Sequence, residues 1–191
     1  MTQVSIIGTG NMGKAIAGIV TKGGHTAELI GHGDADKQIS GEIVVLAVPY
    51  PAVADILAQR GASLAGRVVV DITNPLDFAT FDSLTVPADS SAAAVIAAAL
   101  PESTVLKAFN TTFGATLAAG TVGPLPTTVL IAGDDADAKA LLAGIVTAGG
   151  LNAVDAGSLN RARELEAIGF LQITLAAAEK VSWAGGFAVV A

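Results

Sequence analysis

The chain has 191 residues, 52% of them hydrophobic and 14% charged, with no cysteine and a net charge of −7. That length makes one large domain with a substantial core, and the missing thiols exclude disulfides and thiolate chemistry. An acidic balance without a Lys/Arg cluster excludes nucleic acid as a partner, and His25 and His32, with carboxylates at no ligating spacing, give no metal site.

An apolar run at 4–7 reads as a strand, and Gly8-Thr9-Gly10-Asn11-Met12-Gly13 follows it at once. This is a G-x-G-x-x-G spacing that opens a helical pattern at 11–22, the context in which the motif predicts a dinucleotide-binding turn. Gly8 permits a tight exit from the strand, Gly10 lets a pyrophosphate approach the backbone, and Gly13 lets the helix pack close to the sheet. The helix mouth then aims free N–H groups and a positive dipole end at the phosphates.

A second strand is expected at 26–30, after the Gly23-Gly24 turn. Residues 31–41 are polar and poorly periodic, so the crossover that should hold a helix looks shortened. The apolar run 43–48, bounded by Pro49, predicts a buried parallel strand, and 51–60 a helix with Pro51 in its first turn. A strand at 68–72 and an alanine-rich helix at 89–100, with Asp89 or Ser90 near its cap, come next. Strands at 105–109 and 127–132, a helix at 134–148, a strand at 151–154 and a long helix at 159–181 complete the alternation. Arg161, Arg163, Glu164 and Glu166 read as ion pairs on the surface of that last helix.

The pattern predicts an α/β, Rossmann-like, doubly wound fold: a mainly parallel sheet with helices on both faces, one dinucleotide-binding domain over 1–191. Within it, 158–191 forms a C-terminal helix and an apolar tail that adds a strand or packs on a partner, so a homodimer is expected. The longest uncharged stretch, 108–133, is broken by Gly, Pro and Thr and reads as strand, loop and strand, not as a membrane span. With neither a basic n-region nor an apolar h-region at the N-terminus, the expected location is the cytoplasm.

Ligands of such sheets bind beyond the carboxyl ends of the strands. That rule nominates Gly8, Thr9, Gly10, Asn11 and Met12 at the pyrophosphate, and Gly31, His32 and Gly33 at the ribose. Ala47, Val48, Pro49 and Tyr50 would line the cofactor, with Asn74, Ala108, Asn110 and Thr111 near the nicotinamide. Tyr50 also reads as a packing residue, and Asn110 with Thr111 also as a cap for the segment that follows. Glu28 stands too early for the ribose and Asp34 lies beyond two glycines. His32, with Lys37 nearby, favours NADP(H) mildly, with NAD(H) as the alternative.

Several stretches carry a family resemblance. They are Ile6-Ile7-Gly8-Thr9-Gly10-Asn11-Met12-Gly13, Val48-Pro49-Tyr50, Asp71-Ile72-Thr73-Asn74-Pro75 and Lys107-Ala108-Phe109-Asn110-Thr111. Ala132-Gly133-Asp134-Asp135, Asp155-Ala156-Gly157-Ser158-Leu159 and Ala162-Arg163-Glu164-Leu165-Glu166 extend the match toward the C-terminus. Together they resemble the small NADPH:F420 oxidoreductases, and are similar to the dinucleotide domain of STEAP metalloreductases and of pyrroline-5-carboxylate reductases. The resemblance implies hydride transfer between NADP(H) and a small redox acceptor, a deazaflavin such as F420 or a flavin. His32-Gly33 departs from the Ser followed by Arg or Lys that the family often has there.

No strong acid or base stands at the strand tips, so catalysis would rest on positioning and no catalytic side chain is nominated. The alternatives are a nucleotide-binding sensor or interaction module that does not turn over, and a reductase of a small imine or carbonyl compound.

Overall fold

Five short strands form the parallel part of the sheet: β1 (Gln3–Ile7), β2 (Thr26–Ile30), β3 (Ile43–Leu46), β4 (Val68–Asp71) and β5 (Thr104–Lys107). They lie in the order β2-β1-β3-β4-β5. Around them run α1 (Asn11–Lys22), α2 (Val53–Leu64), α3 (Ala92–Ala99) and the short α4 (Gly114–Ala119). A small hairpin of β6 (Thr121–Val122) and β7 (Leu125–Pro126) leads into β8 (Thr128–Ala132), α5 (Ala136–Ala148), β9 (Asn152–Gly157) and α6 (Ala162–Ala177). This computed structural model describes residues 1–34 and 36–190.

Strand residues alternate between two cores, as a pleat with a period of two requires. Val4, Ile6, Val45, Val70 and Leu106 pack with Ile16, Ile19 and Val20 of α1, Leu117 of α4 and Leu142 and Ile145 of α5. Ile7, Val44, Leu46, Val69 and Val105 face the other way, onto Val53 and Leu64 of α2 and Ile96 of α3. Helices therefore cover both faces, and the central strands are apolar throughout because neither face meets water.

The sheet has seven strands, and its last two are reversed. β8 joins β5 antiparallel through the single pair Lys107–Ala132, and β9 runs parallel to β8. The expected strand-loop-strand at 108–133 contains α4 and the β6–β7 hairpin, not a full crossover helix. A chain that leaves β5 at its carboxyl end and returns without crossing the sheet must run back antiparallel.

Several predicted boundaries move. The alanine-rich helix begins at Ala92, not at 89, because Ser91 is its cap and accepts the Ala94 N–H at 3.0 Å. The helix expected at 134–148 likewise starts behind Asp135, which accepts the Ala138 N–H at 2.8 Å. The long helix expected at 159–181 is a 3-10 turn, Leu159–Arg161, followed by α6, and it stops before Glu179, whose φ is 57°. No helix lies between β2 and β3 among the described residues, so the crossover is short as expected; Ala35 within it lies outside the described residues. The tail adds no strand over 185–190. It folds back instead, with the Phe187 N–H donating to Gln172 Oε1 of α6 at 2.9 Å, and Ala191 lies outside the described residues. No helix among the described residues is long and apolar enough to cross a membrane.

Candidate functional site

The chain leaves β1 for β2 on one side, while β3 takes the place on the other side of β1. This β1/β3 junction is the switch point where a crevice must open. Gly8 closes it on the protein side: its φ is 124°, and a Cβ would stand 2.0 Å from the Ala47 carbonyl oxygen. Gly13 seats α1 against the same turn, since its Cβ would lie 2.2 Å from the Gly8 carbonyl oxygen. Gly10 is the reverse case. At φ −72° it needs no glycine for its own conformation, and no protein atom comes within 4 Å of where its Cβ would be. The open space lies on the ligand side.

Gly10 is also the N-cap of α1, which has no side-chain cap and no acidic residue in its first turn. The helical ladder starts with the Lys14 N–H on the Gly10 carbonyl, so the amides before it have no intrahelical partner. Positive partial charge and free donors thus face the crevice, which suits a diphosphate.

From this mouth the cleft extends both ways. Toward β2 it is a cavity of about 390 Å³ lined by Gly8, Thr9, Gly10, Gly31, His32, Ala47, Val48 and Pro49. Asp55, Ile56, Gln59 and Arg60 of α2 complete its wall. Gly33 is exposed beyond His32 and is not among these lining residues. Asp34 turns back to the strand tip, its Oδ2 accepting the Gly31 N–H at 2.7 Å. Arg60 donates to the Lys37 carbonyl at 2.8 Å and to the Asp34 carbonyl, and so braces this loop. Glu28 is engaged elsewhere, with hydroxyls of Ser5 and Ser40 both donating to it at 2.6 Å. Burial pushes its carboxyl up, but the bonds from Ser40 and Ser5 and the nearby Lys37 ammonium outweigh this and leave it below the usual range.

Toward β4 and β5 the cleft is lined by Asn11, Met12, Tyr50, Ile72, Thr73, Asn74 and Phe78. Asn110, Thr112, Phe113, Ile173 and Trp183 close the far wall. Phe109, at φ 62°, turns the chain sharply at the β5 tip, so the Asn110 N–H bonds back to the Ala108 carbonyl at 2.8 Å. Asn110 is only 4% exposed. Its Nδ2 donates to Asn74 Oδ1 at 2.9 Å and to the Leu165 carbonyl at 2.8 Å, while Asn74 Nδ2 donates to the Asn110 carbonyl at 3.0 Å. These bonds use the amide's donors and leave Asn110 Oδ1 buried without a partner. A buried acceptor left without a partner is unusual, and here it belongs to a residue that lines the cleft. Ala108 is sealed in the core and Thr111 is buried; on this far wall it is Thr112, not Thr111, that lines the cleft.

Directly behind this wall lies a buried ionic cluster that departs from the expected helix-surface pairing of Glu166. Lys107 Nζ donates to Asp71 Oδ2 at 2.7 Å, Glu166 Oε1 at 2.8 Å and the Thr73 carbonyl at 2.5 Å. The three side chains are 0%, 0% and 1% exposed. Glu166 also accepts the Ala92 N–H at 2.9 Å and the Ala93 N–H at 3.3 Å. Burial raises its carboxyl despite the ammonium beside it. Residue 166 faces inward because α6 crosses the tips of β4 and β5 there; three residues on, Gly169 lies so close that a Cβ would stand 2.2 Å from Asn74 Oδ1. Arg161 and Arg163 do pair with Glu164 at the surface, at 3.4 and 3.5 Å.

Sequence reasoning missed the α2 wall and the aromatic rim. Asp55, Gln59 and Arg60 recur at near-helical spacing, a signal that was present but pointed only to a solvated face. Phe78, Phe113 and Trp183 come from loops, where no periodicity marks them, and only the scarcity of aromatics (six Phe, one Trp, one Tyr) sets them apart.

No protein-family model matches the chain. The F420-dependent NADP reductase of Methanocaldococcus jannaschii is 32% identical over 161 residues, covering 82% of this chain and 72% of that protein. The rat metalloreductase STEAP3 is 32% identical over 133 residues, and the match spans 70% of this chain but 26% of the metalloreductase. A solved structure from Arthrobacter sp. FB24, provisionally named an F420-dependent NADP reductase, superimposes over 100% of both chains with a TM-score of 0.85 at 25% identity. A shared length, a shared fold and this level of identity lead to one conclusion: the chain belongs to the F420-dependent NADP reductase family of NADP-dependent oxidoreductases.

Proposed function

We propose that the protein binds NADP(H) across the switch point and passes hydride between its nicotinamide and a flat deazaflavin or flavin ring. The observation that carries this is the pairing of an uncapped helix mouth at Gly10 with an orphaned Asn110 Oδ1 further along one cleft. The first suits a diphosphate and the second a carboxamide N–H₂, the two polar handles of a pyridine dinucleotide. Bound there, the cofactor supplies the hydride chemistry itself.

The protein's part is binding and orientation. Amides at the start of α1 hold the diphosphate, and the Gly8–Ala47 contact keeps that corner from shifting. Arg60 and His32, at the β2 end, meet a 2′-phosphate. Asn110, locked by Asn74 and the Leu165 carbonyl, fixes the carboxamide and so selects the ring face that is presented. Phe78 and Trp183, 52% and 54% exposed, supply apolar platforms against which an aromatic acceptor can stack. Orientation of this kind is worth on the order of 7–11 kcal/mol of a barrier, which makes the lack of a strong acid or base tolerable.

Anaerobic NADPH oxidation with F420, riboflavin and FMN tests the reading. Turnover with at least one ring is expected; tight NADPH binding with no turnover on any of them would overturn the hydride-transfer assignment. We also propose self-association through α6 and the tail, supported by Leu171, Phe187 and Val190, which are exposed at 50%, 42% and 78%. Light scattering should give twice the 18.8 kDa chain mass, and a monomer at micromolar concentration would refute it.

A further inference from the structure

Three side chains with no direct place in that scheme are the most deeply buried charges in the molecule. Lys107 ends β5, Asp71 ends β4, and Glu166 reaches them from α6. Every Nζ donor of Lys107 is used, on Asp71, Glu166 and the Thr73 carbonyl. Asp71 Oδ1 takes the Thr73 N–H at 2.8 Å, and Glu166 takes two amides of α3. With both carboxylates ionised, one ammonium facing two carboxylates leaves an excess of one negative charge, held by dipoles and out of reach of solvent. Such a cluster is costly, and an apolar trio of similar volume would often serve stability as well. Its position suggests what else it does.

The cluster stands one residue behind the cleft wall. Ile72 and Thr73, which follow Asp71, line the cleft, as does Asn74. Asn110 is tied to the Leu165 carbonyl, the residue before Glu166. Tyr50, in the same wall, registers the field: burial raises its phenol, and Glu166 and Asp71 raise it further. No charged side chain is among the residues lining this end of the cleft, so none there offsets the field.

We propose that the Asp71–Lys107–Glu166 cluster acts as a fixed negative charge that favours the cationic, oxidised nicotinamide over the neutral, reduced one, biasing the bound cofactor toward giving up hydride. This rests on the cofactor reading above. A dihydronicotinamide is neutral and becomes a pyridinium when hydride leaves it with both electrons of the C–H bond, to the acceptor ring. A buried charge that does not reorganise acts on that difference more effectively than water would.

The test is calorimetric titration of NADP⁺ and NADPH into wild-type protein, Glu166→Gln, Asp71→Asn and Glu166→Asp. The two carboxamide variants each remove one charge and should lower the preference for NADP⁺ over NADPH by about threefold or more, the scale of one unit charge acting across a partly solvated cleft. Glu166→Asp keeps the charge and should keep the wild-type ratio. A purely structural role would weaken both nucleotides together and leave the ratio alone, and that result overturns the inference while the cofactor reading stands. If wild-type protein binds neither nucleotide, the cofactor reading falls and this inference with it. Should the carboxamide variants fail to fold, wild-type protein decides: NADP⁺ is held at least as tightly as NADPH, and a preference for NADPH refutes the bias.

Discussion

Two glycines two residues apart in one motif should respond oppositely to substitution, and the pair isolates binding from folding. At Gly8, alanine would have to adopt φ 124° and place its Cβ 2.0 Å from the Ala47 carbonyl oxygen. Backbone strain of that kind costs about 1–3 kcal/mol, and the overlap about 1–3 kcal/mol more before the β1 and β3 tips part. Gly8→Ala should therefore lose roughly 3 kcal/mol or more of stability, a large part of the margin of an ordinary domain. At Gly10, leucine keeps φ −72° without strain, and its Cβ meets no protein atom within 4 Å beyond its own turn. Exchanging the N-cap glycine costs about 1 kcal/mol or less, so Gly10→Leu should fold. Its side chain, however, fills the space where the diphosphate would sit, and NADPH affinity should drop at least ~100-fold, or ~2.7 kcal/mol. Thermal unfolding with and without NADPH reads both effects at once. At a hundredfold excess over Kd the ligand adds ~2.7 kcal/mol to wild type, about 5–10 °C for a chain of this size. Gly10→Leu should melt near the ligand-free wild type and shift by about 2 °C or less. Wild-type affinity in Gly10→Leu, or a fold lost as in Gly8→Ala, would refute the placement of the diphosphate.

Gly169→Ala drives a Cβ to 2.2 Å from Asn74 Oδ1 and should break its bond with Asn110; kcat should fall about tenfold or more while NADPH affinity holds within a few-fold, and unchanged kcat would show that the Asn pair does not orient the ring. Arg60→Met should weaken NADPH about tenfold by loss of a charge-assisted bond and leave NADH unaffected, so equal losses for both nucleotides would mean that Arg60 only braces the 31–37 loop. Glu166 and Glu28 should shape pH-dependent stability with opposite signs. Glu166 is raised by burial, so the folded state holds its proton more tightly than the unfolded one; wild type should lose stability relative to Glu166→Gln as pH rises from about 4.3 to the raised folded value, and stay level above it. Glu28 is lowered, so its contribution should be full above about 4.3 and disappear as pH falls through its folded value, which urea unfolding of Glu28→Gln against wild type would detect. A wild type that gains stability relative to Glu166→Gln as pH rises through that window would refute the sign.

What was legible in the sequence follows from what is local. The strand-turn-helix around Gly8 and Gly13 could be read because backbone conformation and close packing in a tight turn depend on a few adjacent residues. The same holds for the buried strands, where a run such as Val44-Val45-Leu46 needs both faces covered. Caps were less visible: Asp89, Ser90 and Ser91 are all good cap residues, and only tertiary contact of Ala92 and Ala93 with Glu166 settles which one begins α3. The reversal of β8 was hidden for a different reason. Periodicity reports which residues are buried and says nothing of strand direction, and α4 is too short at six residues to leave a helical period.

Glu166 shows where local reading fails most instructively. Its neighbours Arg161, Arg163 and Glu164 form the surface pairs that spacing suggests, and by charge alone Glu166 belongs with them. Helical phase places it on the same side as Ala162, Leu165 and Gly169, all buried, so the sequence did contain a conflict between polarity and phase. Lys107 carries the same conflict, a cation closing an apolar strand whose other end is threonine. Each is hard to place singly; together with Asp71 they offset much of one another's desolvation, and neither the ammonium nor a carboxylate would be tolerable there without a partner of opposite sign. The rule that emerges is physical: a charged residue at a phase that burial demands predicts a partner of opposite sign at another strand tip. Here that partnership assembles where the strands of a doubly wound sheet present their ligand, which is why the expected consequence is sought in cofactor chemistry and not in stability alone.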